Sequence, residues 1–406
     1  MDNQPTLKRS ITVPLLTLYG LGTIIGAGIY VLVGEVAHVA GFYAPISFLL
    51  AALIATFTAF TYAELSSRFP RSAGEAYYAS QAFNNKIFSG LVGWSIVLIG
   101  VVSSATIING FVGYFNVFVE IPAWIVIIGL VLLLSGITAW GISESVWLAS
   151  IITVIEVFGL LFVVYSATQS DHVSGIGFKD FIPAGDGQVW HGILLGAFLA
   201  FYAYIGFEDM VNVAEEVVNP QKALPVAIIL ALVCSVVIYI LVAVAAITTV
   251  PTEQLGNSTA PLVDVVRHYN ENAVTLITVI SMIAVVNGAL IQMIMASRVV
   301  YGMANQQLAP AIFSAVNAGT QTPLRATALV TIVILILALA FSLVTLAKIT
   351  SFITLLVFAT MHIALLLVKN KMPVAEDAAV YPVWIPIGGL LVTLALLGFQ
   401  TWAALS

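Results

Sequence analysis

Charged side chains are the scarcest feature of this sequence. Only 8% of its 406 residues are Asp, Glu, Lys or Arg, whereas 61% are apolar. A soluble domain carries roughly a quarter of its residues as charges. The chain has too few polar groups to cover a surface that faces water, so an ordinary soluble protein is excluded. Its solvent must be largely lipid.

Reactive and metal-binding side chains are also scarce, which excludes further classes of protein. The single cysteine, Cys234, excludes an intramolecular disulfide and a multi-cysteine metal site, and within its apolar run we expect an inert core thiol. The histidines never occur at ligand spacing, so neither a metal nor another cofactor is expected. The basic residues are too scattered for a nucleic-acid surface. Neither a phosphate-binding loop nor a nucleophile with its base is visible, so the chain is not expected to be an enzyme.

Long apolar runs are what the sequence has instead. A bilayer core of about 30 Å needs roughly 20 apolar residues per helix, and Pro, Gly and charged residues divide the chain into eleven such segments. The first begins at Val13 and is too long for the apolar part of a signal peptide. A short surface helix is predicted over Pro261–His268. The predicted spans are 13–38, 44–67, 87–115, 122–140, 146–168, 191–214, 223–249, 272–302, 326–346, 349–369 and 382–404.

The basic residues orient these spans, because cytoplasmic loops retain Lys and Arg. With the N-terminus inside, only Lys179, Arg267 and Lys348 lie outside. We therefore expect a cytoplasmic tail at 1–12, an extracellular loop at 169–190 and, after eleven spans, an external C-terminus. The inside set is Lys8, Arg9, Arg68, Arg71, Lys86, Lys222, Arg298, Arg325, Lys369 and Lys371. The membrane is expected to be the inner or plasma membrane of a cell.

Spans one and six carry sequences that weaken a helix near mid-membrane. Span one has four glycines within Gly20–Gly28, and each interior glycine costs a helix about 1 kcal/mol relative to alanine. Span six has Gly206 among aromatic residues, followed at once by two acids. A plainer interpretation is a packing face, which Gly22 and Gly26 fit by their spacing.

The two interrupted spans are five apart, as a 5+5 inverted repeat would place equivalent helices. The repeats would be 13–168 and 191–370, with span eleven in 371–406. Paired interruptions in corresponding spans indicate a transporter site, since non-helical backbone at membrane depth is tolerated where it lines a cavity. Freed N–H groups at a helix start suit a carboxylate, and freed carbonyls suit an ammonium. A zwitterionic amino acid satisfies both sets.

Four motifs resemble the amino acid–polyamine–organocation superfamily of permeases over about residues 13 to 370. They are Gly22–Val31 in span one, Tyr62–Tyr77 after span two, Phe201–Glu208 with Ala214–Pro220 in span six, and Ser297–Ala304 in span eight. The stretch Gly26–Glu35 also resembles the cationic amino acid transporter branch.

The resemblance implies an all-α polytopic membrane protein of the leucine-transporter-like fold, with discontinuous helices one and six and alternating access. It implies that the substrate carboxylate lies at Gly26, Ala27 and Gly28. The ammonium would meet carbonyls of Ile24, Tyr202, Ala203 and Ile205, with Tyr202 also gating the substrate and Asn287 completing the pocket. Family members usually have twelve spans, whereas eleven are predicted here. Dimerisation through the terminal spans is therefore in doubt, and both a monomer and a homodimer stay open.

Several ionisable residues are candidates for coupling or gating. Glu156 lies near the bilayer centre, where a charge costs at least about 2.5–3.5 kcal/mol, so it should face the protein interior. It could couple protons, make one structural hydrogen bond or help to hold a cation; several relatives have lysine there. The resemblance assigns Glu208 a pH-sensing or gate-coupling role, and a helix cap or salt bridge is the alternative. Glu215 and Arg298 are candidates for a cytoplasmic gate. The alternative for Glu215 is that it simply lies at a solvated helix end.

The sequence therefore predicts a secondary active amino acid transporter with protons as the coupling ion. An exchanger of amino acids or polyamines is the first alternative, and a non-transporting sensor or subunit of the same fold is the second. The apolar pocket favours neutral amino acids, with cationic ones next.

Overall fold

The computed structural model describes residues 9–26, 28–71, 74–140, 146–170, 178–183, 185–267, 269–317, 319–372 and 378–405. Residues 1–8 of the predicted tail, and 171–177 and 184 of the predicted loop, lie outside this part. The α-helices are α1 Val13–Ile25, α2 Gly28–Ala40, α3 Ala44–Arg68, α4 Gly74–Phe83, α5 Lys86–Asn116, α6 Ala123–Trp140, α7 Val146–Thr168, α8 Gly187–Phe201, α9 Pro220–Thr249, α10 Thr252–Gly256, α11 Pro261–Val266, α12 Glu271–Asn305, α13 Leu324–Ala340, α14 Leu343–Lys371 and α15 Trp384–Leu405.

The chain is an all-α polytopic membrane protein, as the sequence predicted. Within the described ranges, nine helical stretches are long and apolar enough to cross a membrane. One is the continuous run Gly28–Arg68, which a 3-10 turn at Gly41–Tyr43 divides into α2 and α3. The helices α1 and α13 are apolar but shorter. Joining α1 to α2 as one span, and counting α3 and α13 separately, gives the eleven crossings that remain a prediction.

Tryptophan marks the faces that contact lipid and its boundaries. All seven tryptophans are exposed, from 37% at Trp94 to 77% at Trp140. Trp94 apart, they lie at or near helix ends, namely Trp124, Trp140, Trp147, Trp190, Trp384 and Trp402. Indole rings favour the headgroup level of a bilayer, where one edge is apolar and the N–H is wet. Exposed Leu and Ile side chains cover the helix faces between these ends.

The helices pack in pairs that are five spans apart. Spans two and seven (α3 and α9) lie against each other, and so do spans three and eight (α5 and α12). In the centre, α1 packs against the second half of span six, whereas α2 packs against α8. This antiparallel arrangement brings the interrupted parts of spans one and six to the same depth, which an inverted repeat requires. The repeat itself stays a prediction.

The predicted border between spans nine and ten is wrong. The turn lies at Phe341 and Ser342 rather than at 347–348, so Lys348 belongs to α14 instead of a loop. Phe341 is extended, and the Ser342 hydroxyl accepts a hydrogen bond from Thr345 N at 3.3 Å. An N-capping serine starts a helix without any break in hydropathy, and therefore the apolar pattern alone missed it.

Two predictions of exposure are also wrong. Cys234 is exposed on α9 instead of lying in the core. The short helix predicted on the surface begins at Pro261 but is buried, with Leu262, Val263, Val265 and Val266 facing inward; His268 lies outside the described residues. Hydropathy cannot separate these cases, because lipid and protein interior are equally apolar.

A buried carboxylate fastens three segments together at one end of the molecule. Glu64 of α3 has no exposed surface; its Oε1 accepts from Arg68 at 2.8 Å and its Oε2 lies 2.7 Å from Lys369 Nζ. The backbone N–H of Tyr381 donates to Oε2 at 2.9 Å, which fixes the chain ahead of α15. Both cations of this cluster, Arg68 and Lys369, belong to the set of basic residues predicted to lie at inside ends.

Replacing Glu64 by alanine is expected to destabilise the protein by about 3–5 kcal/mol, because it strands two buried cations. The measurement is thermal unfolding in detergent. The matched control is Arg71→Ala, which removes an exposed pair with Glu215 at 3.6 Å and should change stability by no more than about 1 kcal/mol. Equal losses in the two variants would contradict this view of the buried cluster.

Candidate binding site between the two broken helices

Span one is discontinuous at Gly26. The helix α1 ends at Ile25, and Gly26 has φ −13° and ψ −61°, with its N–H still donating to Gly22 O at 3.0 Å. The helix resumes at Gly28. The first N–H groups of a helix have no partner within that helix, so the start of α2 offers donors at membrane depth. Ala27, predicted to bind a carboxylate, lies outside the described residues.

Span six is discontinuous at Ile205 and Gly206. The helix α8 ends at Phe201, and a 3-10 turn covers Tyr202–Tyr204. Ile205 is extended, and Gly206 has φ +128°, which only glycine adopts without strain. The chain then continues as a 3-10 helix over Phe207–Glu216. The breaks that the sequence predicted in spans one and six are both confirmed.

The two breaks touch each other through their backbones. A Cβ on Gly28 would lie 2.3 Å from Ala203 Cα, and a Cβ on Gly206 would lie 2.4 Å from Thr23 O. The Thr23 hydroxyl lies 2.9 Å from Gly206 O and 2.8 Å from Gly20 O. Glycine is therefore required at both positions because another main chain occupies the space of a side chain.

Tyr239 of α9, which sequence reasoning missed, connects the two breaks. Its hydroxyl lies 2.8 Å from Ile24 O and 2.9 Å from Ala203 O. These are two of the carbonyls predicted to receive an ammonium. One hydroxyl has one proton, so it serves only one carbonyl fully at a time. The sequence signal was weak, because Tyr239 is a lone tyrosine within a long apolar run.

Replacing Tyr239 by phenylalanine is expected to destabilise the protein by about 1–3 kcal/mol, since it leaves a buried carbonyl without a donor. The transport activity predicted from the sequence should fall roughly tenfold or more, because the two breaks lose their common partner. Tyr204→Phe is the control: the Tyr204 hydroxyl is buried and has no hydrogen-bond partner in the described part of the chain. Thermal unfolding and uptake should therefore change little in that variant; comparable damage in both would count against the bridging role.

A small cavity lies between the breaks, with a volume of about 20 Å³. That is room for one water molecule, so a larger ligand requires side chains to move. Of the predicted site residues, Ile24, Gly26, Gly28, Tyr202 and Ile205 line it. Sequence reasoning missed the remaining members. Thr23 belongs to the motif of span one, and the others come from spans three and eight and carry no local motif: Ser103, Ile107, Gly288, Ile291 and Gln292.

The predicted gating aromatic, Tyr202, is held in place by span three. Its hydroxyl lies 3.0 Å from Ser103 Oγ and donates towards Ser103 O at 3.3 Å. Tyr202 is buried and its ring belongs to the cavity wall. Any rotation of this ring has to break the contact with Ser103.

Glu156 lies beside the breaks and faces the protein interior, as predicted from the cost of a charge in lipid. It has no exposed surface. Its Oε1 lies 3.5 Å from the Asn287 amide nitrogen, and its backbone carbonyl accepts from Tyr30 at 2.7 Å. Asn287 therefore contacts Glu156 and is the neighbour of Gly288 in the cavity wall. The roles of Asn287 in binding and of Glu156 in coupling stay predictions.

Glu208 and Asp209 follow the break of span six and are both buried. The Glu208 Oε2 accepts a hydrogen bond from Gly206 N at 2.8 Å. This is the capping contact weighed against a sensing role, and the sensing role stays a prediction. Asp209 Oδ2 accepts from the Gln292 side chain at 3.1 Å.

A vestibule of about 1080 Å³ lies on one side of the breaks. It is bounded by the beginning of α1, the junction of α4 and α5, the end of span six and the end of α12. The gate candidate Arg298 lines it, whereas Glu215 pairs with Arg71 at its edge. The predicted ends that share this side are all inside ends.

The opposite side of the breaks is covered. The helices α10 and α11 pack on α2, so closely that a Cβ on Gly34 would lie 2.4 Å from Leu255 O. A basin of about 680 Å³ near α11 is lined by Gly113, Glu120 and Asp264 among others, and none of its lining residues belongs to the breaks. The structure is therefore open towards one side of the membrane.

Known proteins resemble the chain along nearly its full length. A family described as amino acid permease matches residues 12–404. A cationic amino acid transporter of Arabidopsis thaliana (number 3, mitochondrial) is 31% identical over 393 residues, covering 91% of this chain and 64% of the relative. The methylthioribose transporter of Bacillus subtilis is 31% identical over 394 residues (91% and 83%). The branched-chain amino acid permease BcaP of the same species is 28% identical over 398 residues (92% and 83%). The chain thus spans less than two thirds of the plant relative.

Proposed function

This chain belongs to the amino acid permease family, and from that premise we propose that it is a secondary active amino acid transporter that works by alternating access. The family and its named relatives are permeases and transporters rather than enzymes. The observation that carries the proposal is the pair of broken helices, whose interrupted segments line one cavity.

The chemistry of the breaks supports a zwitterionic substrate. The beginning of α2 at Gly28 would supply N–H donors for a carboxylate, whereas the Gly26 N–H donates to Gly22 O. The carbonyls of Ile24 and Ala203, now shared by Tyr239, would accept from an ammonium. Backbone groups would bind the carboxylate and ammonium that all amino acids have in common. The side chain of the substrate would contact other residues of the cavity.

The asymmetry of the two sides supports alternating access. A wide vestibule lies on one side of the breaks, while α10 and α11 pack on the other. The cavity between the breaks has a volume of about 20 Å³, so side chains have to move before an amino acid fits there. By the distribution of basic residues the vestibule side is the cytoplasm, with the N-terminus inside an inner or plasma membrane.

Proton coupling through Glu156 or Glu208 is the mechanism we favour. Both carboxyls are buried. Glu208 accepts a hydrogen bond from Gly206 at the break of span six, and Glu156 contacts Asn287, the neighbour of Gly288 in the cavity wall. An exchanger is the alternative, in which a second substrate rather than a proton resets the carrier. The two differ in whether a pH gradient alone drives accumulation.

The test begins with a thermal-shift screen of the purified protein against amino acids, polyamines and methylthioribose. Only a bound ligand raises the melting temperature by mass action. Proteoliposomes containing the protein are then assayed for saturable uptake and counterflow of each hit. A carrier gives counterflow, whereas a channel does not. Failure of every amino acid to bind or move would overturn the proposal, and movement of methylthioribose alone would redirect it.

A further inference from the structure

A hydrogen bond joins a residue of the central cavity to a residue of the vestibule. Gln292 of α12 lines the cavity, whereas Asp209 of span six lines the vestibule. The Gln292 Nε2 donates to Asp209 Oδ2 at 3.1 Å, and both side chains are buried. Ile291, the neighbour of Gln292, borders both spaces. A molecule that moves between cavity and vestibule passes this pair.

The pair has an unused acceptor. Gln292 is only 7% exposed, and its Oε1 has no hydrogen-bond partner among the described residues. A buried amide oxygen without a donor is unfavourable by the full loss of its hydration. Such an oxygen on a cavity wall is satisfied when a ligand brings an N–H group to it.

The pair also lies among buried carboxyl groups. Asp209 lies at 6% exposure close to Glu208 and Glu75, which are buried as well. Tyr62 donates to Glu75 at 3.0 Å, and Gly206 N donates to Glu208. No ion pair joins any of the three carboxyls to Lys, Arg or His in the part of the chain that the structure describes. Buried carboxylates are normally paired with a cation.

We propose that Asp209 and Gln292 recognise a cationic group on the side chain of the substrate, and that their hydrogen bond opens to let it pass. The inference rests on the proposed transport of amino acids and names a substrate class. Ammonium and guanidinium groups supply only N–H donors, which match the Gln292 Oε1 and the Asp209 carboxylate. An apolar side chain gives the Gln292 Oε1 no donor and Asp209 no cation, and an acidic side chain is repelled by the Asp209 carboxylate.

Selectivity is measured in proteoliposomes as competition against uptake of a labelled substrate, with arginine and lysine on one side and leucine and alanine on the other. The half-inhibition ratio of arginine to leucine is compared between wild type and Asp209→Asn. Asparagine keeps the shape and still accepts from Gln292, but it has no charge. We expect a shift of at least tenfold against arginine. Gln292→Leu, which removes the unused acceptor, should shift the ratio in the same direction.

The matched control is Glu216→Gln. Glu216 is a second carboxylate on the vestibule wall. It is half-buried and takes no part in the hydrogen bond between Asp209 and Gln292. Its loss tests whether the vestibule attracts cations by its general field. The assay is repeated with sodium replaced by choline, because a free metal cation could occupy the same carboxylates; an arginine preference that depends on sodium would overturn the proposal.

The outcomes separate the two levels of the argument. If the wild type binds and moves no amino acid, the transporter proposal fails. If it moves amino acids but prefers leucine over arginine, or keeps its ratio within twofold in Asp209→Asn, the recognition proposal is wrong. An equal shift in Glu216→Gln also overturns it. If Asp209→Asn does not purify as a folded protein, the ratio in Gln292→Leu decides.

Discussion

Uptake by a Gly28→Val variant is expected to be abolished, at least a hundredfold below wild type. The Cβ of any residue at position 28 would lie 2.3 Å from Ala203 Cα and 2.7 Å from Ala203 Cβ. The obstacle is backbone, which cannot rotate away as a flexible side chain can. Overpacking of a close-packed interior commonly costs about 1–3 kcal/mol, and here it separates the two breaks that form the cavity.

The control is Gly136→Val on α6. A Cβ at position 136 meets nothing within 4 Å, because this face of the helix is turned away from the protein. Uptake and thermal stability should therefore stay near wild type. If Gly28→Val does not fold, Gly28→Ala tests the same contact with the smallest side chain. Normal uptake in either Gly28 variant would remove the claim that the breaks need direct backbone contact.

A Glu156→Gln variant is expected to lose accumulation driven by a pH gradient while it retains exchange of internal for external substrate. A gradient of one pH unit is worth about 1.4 kcal/mol per proton, and this drives roughly tenfold accumulation at one proton per substrate. Glutamine keeps the shape of the side chain and an oxygen facing Asn287, but it cannot release a proton. The accumulation ratio should therefore fall from about ten to about one in this approximation.

Glu120→Gln serves as the control, because Glu120 is exposed at the end of span three, away from the breaks. It removes one carboxylate without touching the site. Accumulation in Glu156→Gln at the level of wild type would show that Glu156 does not couple protons, and would turn attention to Glu208. Loss of both accumulation and exchange would instead indicate a structural role beside Asn287.

Pattern alone located the breaks, and it did so for a local reason. Glycine is the weakest helix former apart from proline, so four glycines in Gly20–Gly28 weaken the helix there, and span one breaks at Gly26 while Gly20 and Gly22 stay helical. Gly206 breaks span six for a local reason too, since its φ of +128° is one that glycine adopts without strain. Helix bounds came close because apolar length is a one-dimensional property; the exception was Ser342, whose capping hydroxyl leaves no mark on hydropathy.

The short helix α4 was missed as well. At Gly74–Phe83 it is neither long nor apolar enough to resemble a span, yet its Glu75 and Tyr78 are buried. Burial there raises the pKa of the Glu75 carboxyl. The sequence around Glu75 does not predict this burial.

The sequence by itself determined that the chain lives in lipid, where its helices are interrupted, and which family it resembles. Only the tertiary structure decided which polar groups meet: Tyr239 with the carbonyls of Ile24 and Ala203, and Gln292 with Asp209. In a soluble protein, the polar face of a helix indicates which side is exposed to solvent. In a bilayer both faces are apolar, so which side of a span faces its neighbours, as with Cys234, is settled by packing alone.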